Sequence, residues 1–297
     1  MHRILLPEEF AATAFAVSAA RAHGLPANRL RSRQLARPFH GVRAPDPPAQ
    51  DVLGRCTELA PRLRGHQIFS HLTAAAIWSL PLPPWCASRP LEVCALWGGR
   101  EPRTEGVIGH RHTFDPEGVT LVEGMPVPPP ALVWSQCAEH LLVDDLVAMA
   151  DAIFTRGLAT REELTASLRP GQRGAVTARA ALAESRVGSE SPRETLTRLV
   201  LVRAGLPEPE LNVDLRRPDG RFVARLDLAY RRWRVCVEYD GRQHSTGAQF
   251  ARDADRWADI AAEGWLIVRV LAHHFDDPGR AIVARTRAAL TSRGYSR

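Results

Sequence analysis

Two runs near the C-terminal end of the chain alternate apolar and polar residues with a period of two, which is typical of β-strands. Both lie within the segment Phe222–His244, FVARLDLAYRRWRVCVEYDGRQH, and a basic joint separates them. The pattern predicts an antiparallel hairpin. Because successive side chains of a strand point to opposite faces, Glu238 and Asp240 share one face of the second strand, while Asp227 lies in the first. Acidic side chains thus occupy positions where a strand usually carries apolar ones.

The hairpin belongs to a longer succession of elements that begins near Gly188. Helical periodicity predicts helices over SPRETLTRLVLVRAG, AQFARDADRWADIAAEG and GRAIVARTRAALTSRG. Strand patterns fall on PELNVDL, RFVARLDLAY, WRVCVEYD and WLIVRVL. The predicted order is helix, three strands, helix, strand, helix, and residues 188–297 form one predicted domain.

Residues 1–50 predict a small helical domain. AVSAARAHG predicts one helix, PANRLRSRQL predicts a second, and FHGVRA predicts a strand-like wing. This is the outline of a winged helix-turn-helix, whose second helix would enter the major groove of DNA with Arg29, Arg31 and Arg33. Any small pair of helices in an arginine-rich chain would have the same outline. A DNA-binding domain and an ordinary helical pair therefore both remain open.

Residues 51–187 predict a small mixed domain, which begins near the punctuating segment DPPAQ. HQIFSHLTAAAIWSLPLPP predicts a strand edge and then a helix, with Ser70 as a candidate cap. LEVCALW, GVIGHRHTF and VTLVEGMPV alternate like the strands of a small sheet, and CAEHLLVDDLVAMADAIFTRG, REELTASL and VTARAALAES predict helices. The chain is therefore predicted to be a multidomain protein of the α+β or α/β class.

Length and charge set broad limits on function. The chain has 297 residues, a formal net charge of +6 and a sequence pI near 9.6, which suits a polyanionic partner without requiring one. All 39 basic residues are arginines, so no lysine can act in catalysis. No apolar run reaches the length of a transmembrane helix, and the N-terminus has no signal-peptide pattern. We therefore expect a soluble cytoplasmic protein with no membrane partner.

Cysteine and histidine patterns give weak signals for a metal. The five cysteines are scattered without a CxxC pair, which argues against a zinc finger and against a disulfide scaffold. His110 and His112 lie two apart on a predicted strand and could ligate a metal together. Since no third or fourth ligand is spaced nearby, we expect these two, like His66 and His71, to be structural histidines.

The negative charges of the acidic residues in the predicted hairpin need a compensating positive charge. Burying carboxylates beside one another costs free energy unless a cation compensates them, and a divalent metal ion is the simplest compensator. Two structural interpretations compete with a metal site. Asp227 could be a strand-end acid paired with Arg225 or Arg234, and Asp240 with Gly241 could begin a turn.

The first two-thirds of the chain resembles AbiEi-type antitoxins of abortive-infection systems and their actinobacterial relatives. The resemblance lies in PANRLRSRQLARPFHGVRAP, FSHLTAAAIWSLPLP and PVPPPALVWSQCAEHLLVDDLVAMADAIF. The resemblance covers much of this region but includes no catalytic or ligand-binding motif, so it indicates a family and not an activity. It implies that an N-terminal winged helix binds operator DNA, an expectation that we carry to Arg29, Arg31 and Arg33 alone.

Residues 188–297 resemble the PD-(D/E)XK nuclease superfamily and, within it, the domain related to very-short-patch-repair (Vsr) endonucleases. VCVEYDGRQH followed by DADRWADIAAEGWLIVRV carries the resemblance. It implies a restriction-endonuclease-like αβββαβ(α) core in which Asp227 and Glu238 hold Mg²⁺, or Mn²⁺, through hard oxygen ligands. Hydrolysis of a phosphodiester needs such a cation on the phosphate and an activated water.

The same resemblance suggests roles for further residues. Glu194 would be the helix-borne third acid, although Ser191–Glu194 also spells a capping box with proline at the first helical position. Asp240 stands where the motif's lysine should be, which puts water activation in doubt, and His244 is the nearest group able to act as a base near neutral pH. Arg256 is a candidate phosphate contact, though such residues are more often solvated.

Two functions from different classes follow. The first is a DNA-binding protein with a metal-dependent endonuclease domain, acting in DNA repair or phage defence. The alternative, motivated by the missing lysine, is a transcriptional regulator or antitoxin of a type IV toxin–antitoxin-like system. Its nuclease fold would have lost catalysis, and DNA, a toxin or a second copy of the chain would be its partner. A plain interaction scaffold would instead bind its partner without DNA affinity and without salt dependence.

Overall fold

The computed structural model of the protein describes residues 6–112, 118–240, 247–277 and 279–296. The chain forms two compact units, each with helices and strands, so the protein is of the mixed α and β class that the sequence predicts. The first unit is built from Met1–Leu141 and Glu162–Ala178. The second is built from Leu142–Arg161 and Arg179–Arg297.

The elements have the following bounds. In chain order, the helices are α1 Glu8–Ala11, α2 Val17–Ala22, α3 Ala27–Leu30, α4 Val52–Leu59, α5 His71–Ile77, α6 Pro130–Cys137, α7 Val143–Thr155, α8 Arg161–Ser167, α9 Ala175–Glu184, α10 Pro192–Arg203, α11 Gly247–Ala262 and α12 Arg280–Ser292. The strands are β1 Phe15–Ala16, β2 Val42–Arg43, β3 Gln67–Phe69, β4 Leu91–Leu96, β5 Val107–His112, β6 Thr120–Val122, β7 Met125–Val127, β8 Glu210–Arg216, β9 Phe222–Tyr230, β10 Val235–Asp240 and β11 Leu266–Leu271. Among the described helices, none combines the length and apolar character that a membrane span needs.

The first unit contains small sheets packed with short helices. β1 and β2 form an antiparallel ribbon, and β6 and β7 form an antiparallel hairpin. In the remaining sheet β4 lies between β3 and β5, antiparallel to β3 and parallel to β5. α5 packs against α6 and against β4. Residues from β4, β5 and the start of α5 therefore lie close together although they are far apart in the chain.

The second N-terminal helix is shorter than predicted. α3 is a single turn, so Arg29 lies within it, whereas Arg31 lies at its C-terminal end and Arg33 beyond it. Leu30 and Leu35 are both buried in one cluster. Residues five apart are not neighbours on a helix face, and the end of α3 at Leu30 lets both side chains reach this cluster. The prediction of a longer helix over PANRLRSRQL is wrong, although the three arginines are exposed.

The second unit is built on a four-stranded sheet in the order β11, β10, β9, β8. β8, β9 and β10 are antiparallel neighbours, and β11 runs parallel to β10. The chain order α10, β8, β9, β10, α11, β11, α12 confirms the order of elements predicted for residues 188–297. The predicted hairpin is therefore the central pair of strands in this sheet.

Helices cover both faces of this sheet. Val235 and Val237 pack in a cluster with residues of α10 and α12, whereas Cys236 packs with Ile260 of α11 and with Trp265. β10 thus buries side chains on both faces, as expected for a central strand between two helical layers. An acid on this strand is consequently removed from bulk water.

A buried ion pair joins α7 to α10 within the second unit. Arg198 Nη2 donates to Asp151 Oδ2 at 3.0 Å, and both side chains are 1% exposed. The hydroxyl of Thr195 donates to the same oxygen at 2.9 Å, and the backbone N–H of Arg186 donates to Oδ1 at 2.5 Å. These hydrogen bonds offset the cost of taking both charges out of water.

Candidate active site

Asp227 and Glu238 satisfy backbone donors across the hairpin. The backbone N–H of Asp227 donates to Glu238 Oε1 at 3.1 Å, and the backbone N–H of Tyr239 donates to Asp227 Oδ2 at 2.9 Å. The regular ladder between β9 and β10 ends one step earlier, at the pair Leu228 and Val237. The carboxylates therefore replace backbone pairing at this point, and each is fixed by the strand that carries the other.

The alternation of β9 changes phase at Asp227. Leu226 packs in the cluster on the α11 side of the sheet, but Leu228, two residues on, packs in the cluster on the α10 and α12 side. The neighbours of Asn212 on β8 show the same change, and Asn212 itself has φ +47°. Asparagine tolerates this left-handed conformation better than most residues. Both β8 and β9 are therefore irregular at the same level of the sheet, and Asp227 lies at this point of β9.

Glu194 is held beside the hairpin by the start of α10. Its Oε2 accepts a hydrogen bond from the backbone N–H of Glu190 at 2.9 Å and from Asn212 Nδ2 at 2.8 Å. Ser191 caps the helix, because its hydroxyl accepts from the Glu194 N–H at 3.2 Å. The predicted capping box is thus half formed, since the Glu194 carboxylate accepts from Glu190 instead of from the N-cap residue.

Arg256 of α11 reaches the other acid of the hairpin. Its Nη2 donates to Glu238 Oε2 at 2.6 Å and to the backbone oxygen of Arg225 at 2.6 Å. The Glu238 side chain is 4% exposed, whereas that of Arg256 is 36% exposed. A cation therefore compensates Glu238, and in this structure it is the guanidinium of Arg256, whereas the sequence analysis favoured a divalent metal ion.

Asp240 is paired with an arginine on the neighbouring strand. Arg269 Nη2 donates to Asp240 Oδ2 at 2.5 Å, and the Arg269 guanidinium lies 3.6 Å from the ring centroid of Trp257. The aromatic ring holds the guanidinium in place by a cation–π contact. Asp240 is therefore part of an ion pair between β10 and β11.

The two central acids titrate abnormally. Burial, together with the nearby carboxylates of Glu238 and Glu194, raises the pKa of Asp227 to about 7, against the opposing effects of the Tyr239 N–H and Arg256. Burial also raises the pKa of Glu238, although Arg256 favours its charged form. Two neighbouring buried carboxylates favour a shared proton or a cation over two negative charges.

The predicted ion pair of Asp227 with Arg225 or Arg234 is absent from the described residues. Arg225 lies 2.6 Å from Glu190 Oε1 and 3.7 Å from Asp214 Oδ1. That structural interpretation of Asp227 is therefore wrong for the described part of the chain.

The structure brings together most of the acids that the sequence singles out. Asp227, Glu238 and Glu194 influence one another electrostatically, although they do not form a group of three whose ligand atoms lie within 4.8 Å of one another. His244, the candidate base, lies outside the described residues. Sequence reasoning missed Asn212, although an asparagine inside a strand pattern is unusual enough to draw notice.

Comparison with known proteins gives relatives in Mycobacterium tuberculosis. The uncharacterized protein Rv2248 of strain H37Rv and the uncharacterized protein MT2308 of strain CDC 1551 / Oshkosh are each 30% identical to the chain over 258 residues, covering 85% of this chain and 91% of the relative. The chain belongs to the family of these two proteins. No protein-family model matches the chain, and no solved structure matches it significantly. The names of the relatives state no activity, so any function rests on the site itself.

Proposed function

We propose that the protein binds DNA and that its second unit hydrolyses phosphodiester bonds with a divalent metal ion. The observation that carries the proposal is the pair of buried carboxylates, Asp227 and Glu238, whose pKa values are both raised. Such a pair gains most from a divalent cation, and Mg²⁺ prefers hard oxygen ligands. The order of helices and strands around the pair supports the resemblance to PD-(D/E)XK nucleases.

In this proposal each residue of the site has its own task. Asp227 and Glu238 would hold Mg²⁺ or Mn²⁺, and Glu194 and Asp240 would assist. The bound ion supplies a Lewis acid for the phosphate and a more acidic water. Arg256 contacts the phosphate and brings positive charge to a site without the motif's lysine. His244 accepts the proton of the attacking water.

DNA binding in this proposal also uses the first unit. Arg29, Arg31 and Arg33 are exposed in and after α3, where they are accessible to a phosphate backbone. Binding through phosphates releases counterions, so the logarithm of the association constant falls with the logarithm of salt concentration by about 0.9 per phosphate contact. A triple replacement of the three arginines by glutamine should therefore reduce this slope, while a scaffold without DNA affinity would show no slope at all.

A plasmid-nicking assay tests the hydrolytic activity. Supercoiled DNA is incubated with the wild type and with Asp227→Asn and Glu238→Gln, in Mg²⁺, in Mn²⁺ and in EDTA. We expect nicking by the wild type in either metal and loss of nicking in both variants. Asp214→Asn is the matched control, since this acid lies on the adjacent strand and pairs with Arg216 at 3.1 Å. Equal nicking by all four proteins would remove the mechanism.

The second candidate is a transcriptional regulator or antitoxin whose nuclease fold has lost catalysis, with DNA, a toxin or a second copy of the chain as its partner. The observation in its favour is that Glu238 and Asp240 are each engaged by an arginine, Arg256 and Arg269. Calorimetric titration with Mg²⁺ and Mn²⁺ separates the two functions. Binding that is lost in Asp227→Asn supports the nuclease, whereas salt-dependent DNA binding without any metal binding supports the regulator.

A further inference from the structure

Three histidines and two glutamates of the first unit converge on one point. They come from α5, β4, β5 and the segment after α6, and they are His71, Glu92, His110, Glu139 and His140. His71 Nε2 lies 3.7 Å from Glu139 Oε1, which lies 3.1 Å from His140 Nε2. Glu92 Oε1 lies 3.4 Å from His140 Nε2 and 3.5 Å from His110 Nε2. The atoms that meet are those that bind metals in proteins.

Several of these atoms are buried without a hydrogen bond. Within the described part of the chain, Glu92 Oε1, His110 Nε2 and His140 Nε2 have no hydrogen-bond partner, and the Glu92 side chain is only 1% exposed. The two histidine nitrogens lie 3.4 and 3.5 Å from Glu92 Oε1, which is longer than an ordinary N–H···O hydrogen bond. A buried polar atom left unsatisfied is costly, so native proteins seldom keep several side by side. A cation bound among these groups would supply the missing partner.

In Glu92 and His71, the polar atom that points away from the cluster contacts a neighbouring residue. Glu92 Oε2 accepts from the backbone N–H of Leu72 at 2.9 Å, which leaves Oε1 to face the histidines. His71 Nδ1 lies 3.0 Å from the hydroxyl of Ser70, which leaves Nε2 to face Glu139. Residues that bind metals are commonly oriented by such outer contacts. The predicted helix cap Ser70 thus contacts His71 instead of the backbone of α5.

The backbone at His71 supports a role beyond packing. His71 has φ +49°, a conformation that costs free energy for a residue other than glycine. Its ring stacks on that of His110 with the centroids 3.8 Å apart, so the two imidazoles lie side by side next to Glu139.

The distances between neighbouring atoms match the ligand spacing around a small ion such as zinc. With metal–ligand distances of about 2.0–2.1 Å, the ligands of a tetrahedral zinc site are about 3.3–3.4 Å from one another. The four separations given above range from 3.1 to 3.7 Å. In addition, ligand atoms of His71, His110 and Glu139 all lie within 4.8 Å of one another.

We propose that His71, His110 and Glu139, with Glu92 and His140 adjoining them, form a binding site for a divalent transition-metal ion, with Zn²⁺ as the best match. Mixed imidazole and carboxylate ligands suit zinc and its neighbours, whereas magnesium prefers oxygen alone. A cleft of about 340 Å³ is lined by His71 and Glu139 together with His112 and Arg169, so the ion has a path from solvent. The site lies in the first unit and does not depend on the proposed nuclease activity.

Metal titration tests the proposal. The full chain, stripped with a chelator, is titrated with Zn²⁺ in a calorimeter and with Co²⁺ in a spectrophotometer. We expect one ion per chain and the visible absorption of a cobalt ion with four or five ligands. His110→Ala and Glu139→Gln should each weaken binding at least as much as the loss of an outer contact does, about 10- to 100-fold.

Controls separate a metal site from a change in folding. His66→Ala, a histidine of the same unit whose Nε2 lies 3.4 Å from the backbone oxygen of Arg100, should bind as the wild type does, and Asp227→Asn should leave this ion in place. Circular dichroism shows whether each variant is folded, and Glu139→Gln alters a side chain that is 25% exposed and so disturbs packing least. The absence of zinc and cobalt binding in the wild type, or undiminished binding in both folded ligand variants, overturns the proposal.

Discussion

Asn212 Nδ2 donates a hydrogen bond to Glu194 Oε2 at 2.8 Å, so a residue in the left-handed conformation on β8 positions an acid on α10. The same amide donates to the backbone oxygen of Gly188 at 2.6 Å. Asn212 thereby fixes the start of α10 against the sheet, next to Asp227. Its conformation and its hydrogen bonds make separate contributions to stability.

Replacement of Asn212 by glycine and by alanine separates the two contributions. Both variants lose the amide, but only alanine must hold a Cβ at φ +47°. We expect Asn212→Ala to lower the free energy of unfolding by about 1 kcal/mol more than Asn212→Gly does. Urea denaturation measures both values. A glycine variant less stable than the alanine variant would show that the backbone at this position is not strained.

The raised pKa of Asp227 predicts a pH-dependent stability. Asp227 titrates near pH 4 in the unfolded chain and near pH 7 in the folded one. The folded state therefore binds the extra proton between these values, and the free energy of unfolding falls as pH rises from 4 to 7. At about 1.36 kcal/mol per pKa unit, this contribution is at most about 4 kcal/mol.

The comparison of wild type with Asp227→Asn isolates this contribution. Amide and carboxyl are similar in shape, but the amide does not ionise. In EDTA, the wild type should lose stability relative to the variant between pH 4 and pH 7, and the difference should be constant above pH 8. Denaturant titrations at several pH values measure it. A difference that stays constant from pH 4 to pH 8 contradicts the raised pKa.

Arg256 is expected to compete with a metal ion for Glu238. Arg256→Gln leaves the Glu238 carboxylate buried without its cation, so the metal-free variant should be about 1–3 kcal/mol less stable than the wild type. Mg²⁺ should then raise the melting temperature of this variant more than that of the wild type. Arg217→Gln is the control, because Arg217 pairs at 2.8 Å with Glu263, just beyond the end of α11. A Mg²⁺ effect equal in both variants would argue against a metal at Glu238.

Local patterns were sufficient to predict the second unit's elements. Each strand there is an alternating or apolar run with clear ends, and the hairpin joint RRWR separates β9 from β10. The need for a cation at Glu238 was also predictable, because it follows from burial alone. That an arginine of α11 supplies it was not, since this depends on how the helix lies on the sheet.

In the first unit, the contacts between distant residues could not be predicted from the sequence pattern. The spacing of His110 and His112 suggested a pair of ligands, but His110 instead meets His71 and Glu92, which come from other elements. The strand pairing of β4 with β5 and the packing of α5 on β4 bring these residues together. Contacts between distant segments have no signature in spacing, so a single sequence did not reveal the cluster.

The ion pair between Asp151 and Arg198 predicts strongly non-additive mutations. Asp151→Ala leaves the buried Arg198 guanidinium with only the partly exposed carboxylate of Glu208, 3.5 Å away, so the free energy of unfolding should fall by about 3–5 kcal/mol. In the double variant Asp151→Leu with Arg198→Met, neither charge is buried, so the loss should be well below the sum of the two single losses. Glu210→Ala is the control, since its pair with Arg231 is more than half exposed on both sides and should contribute less than about 1 kcal/mol. Urea denaturation of the single and double variants measures the coupling, and additive losses would mean that the pair does not act as a unit.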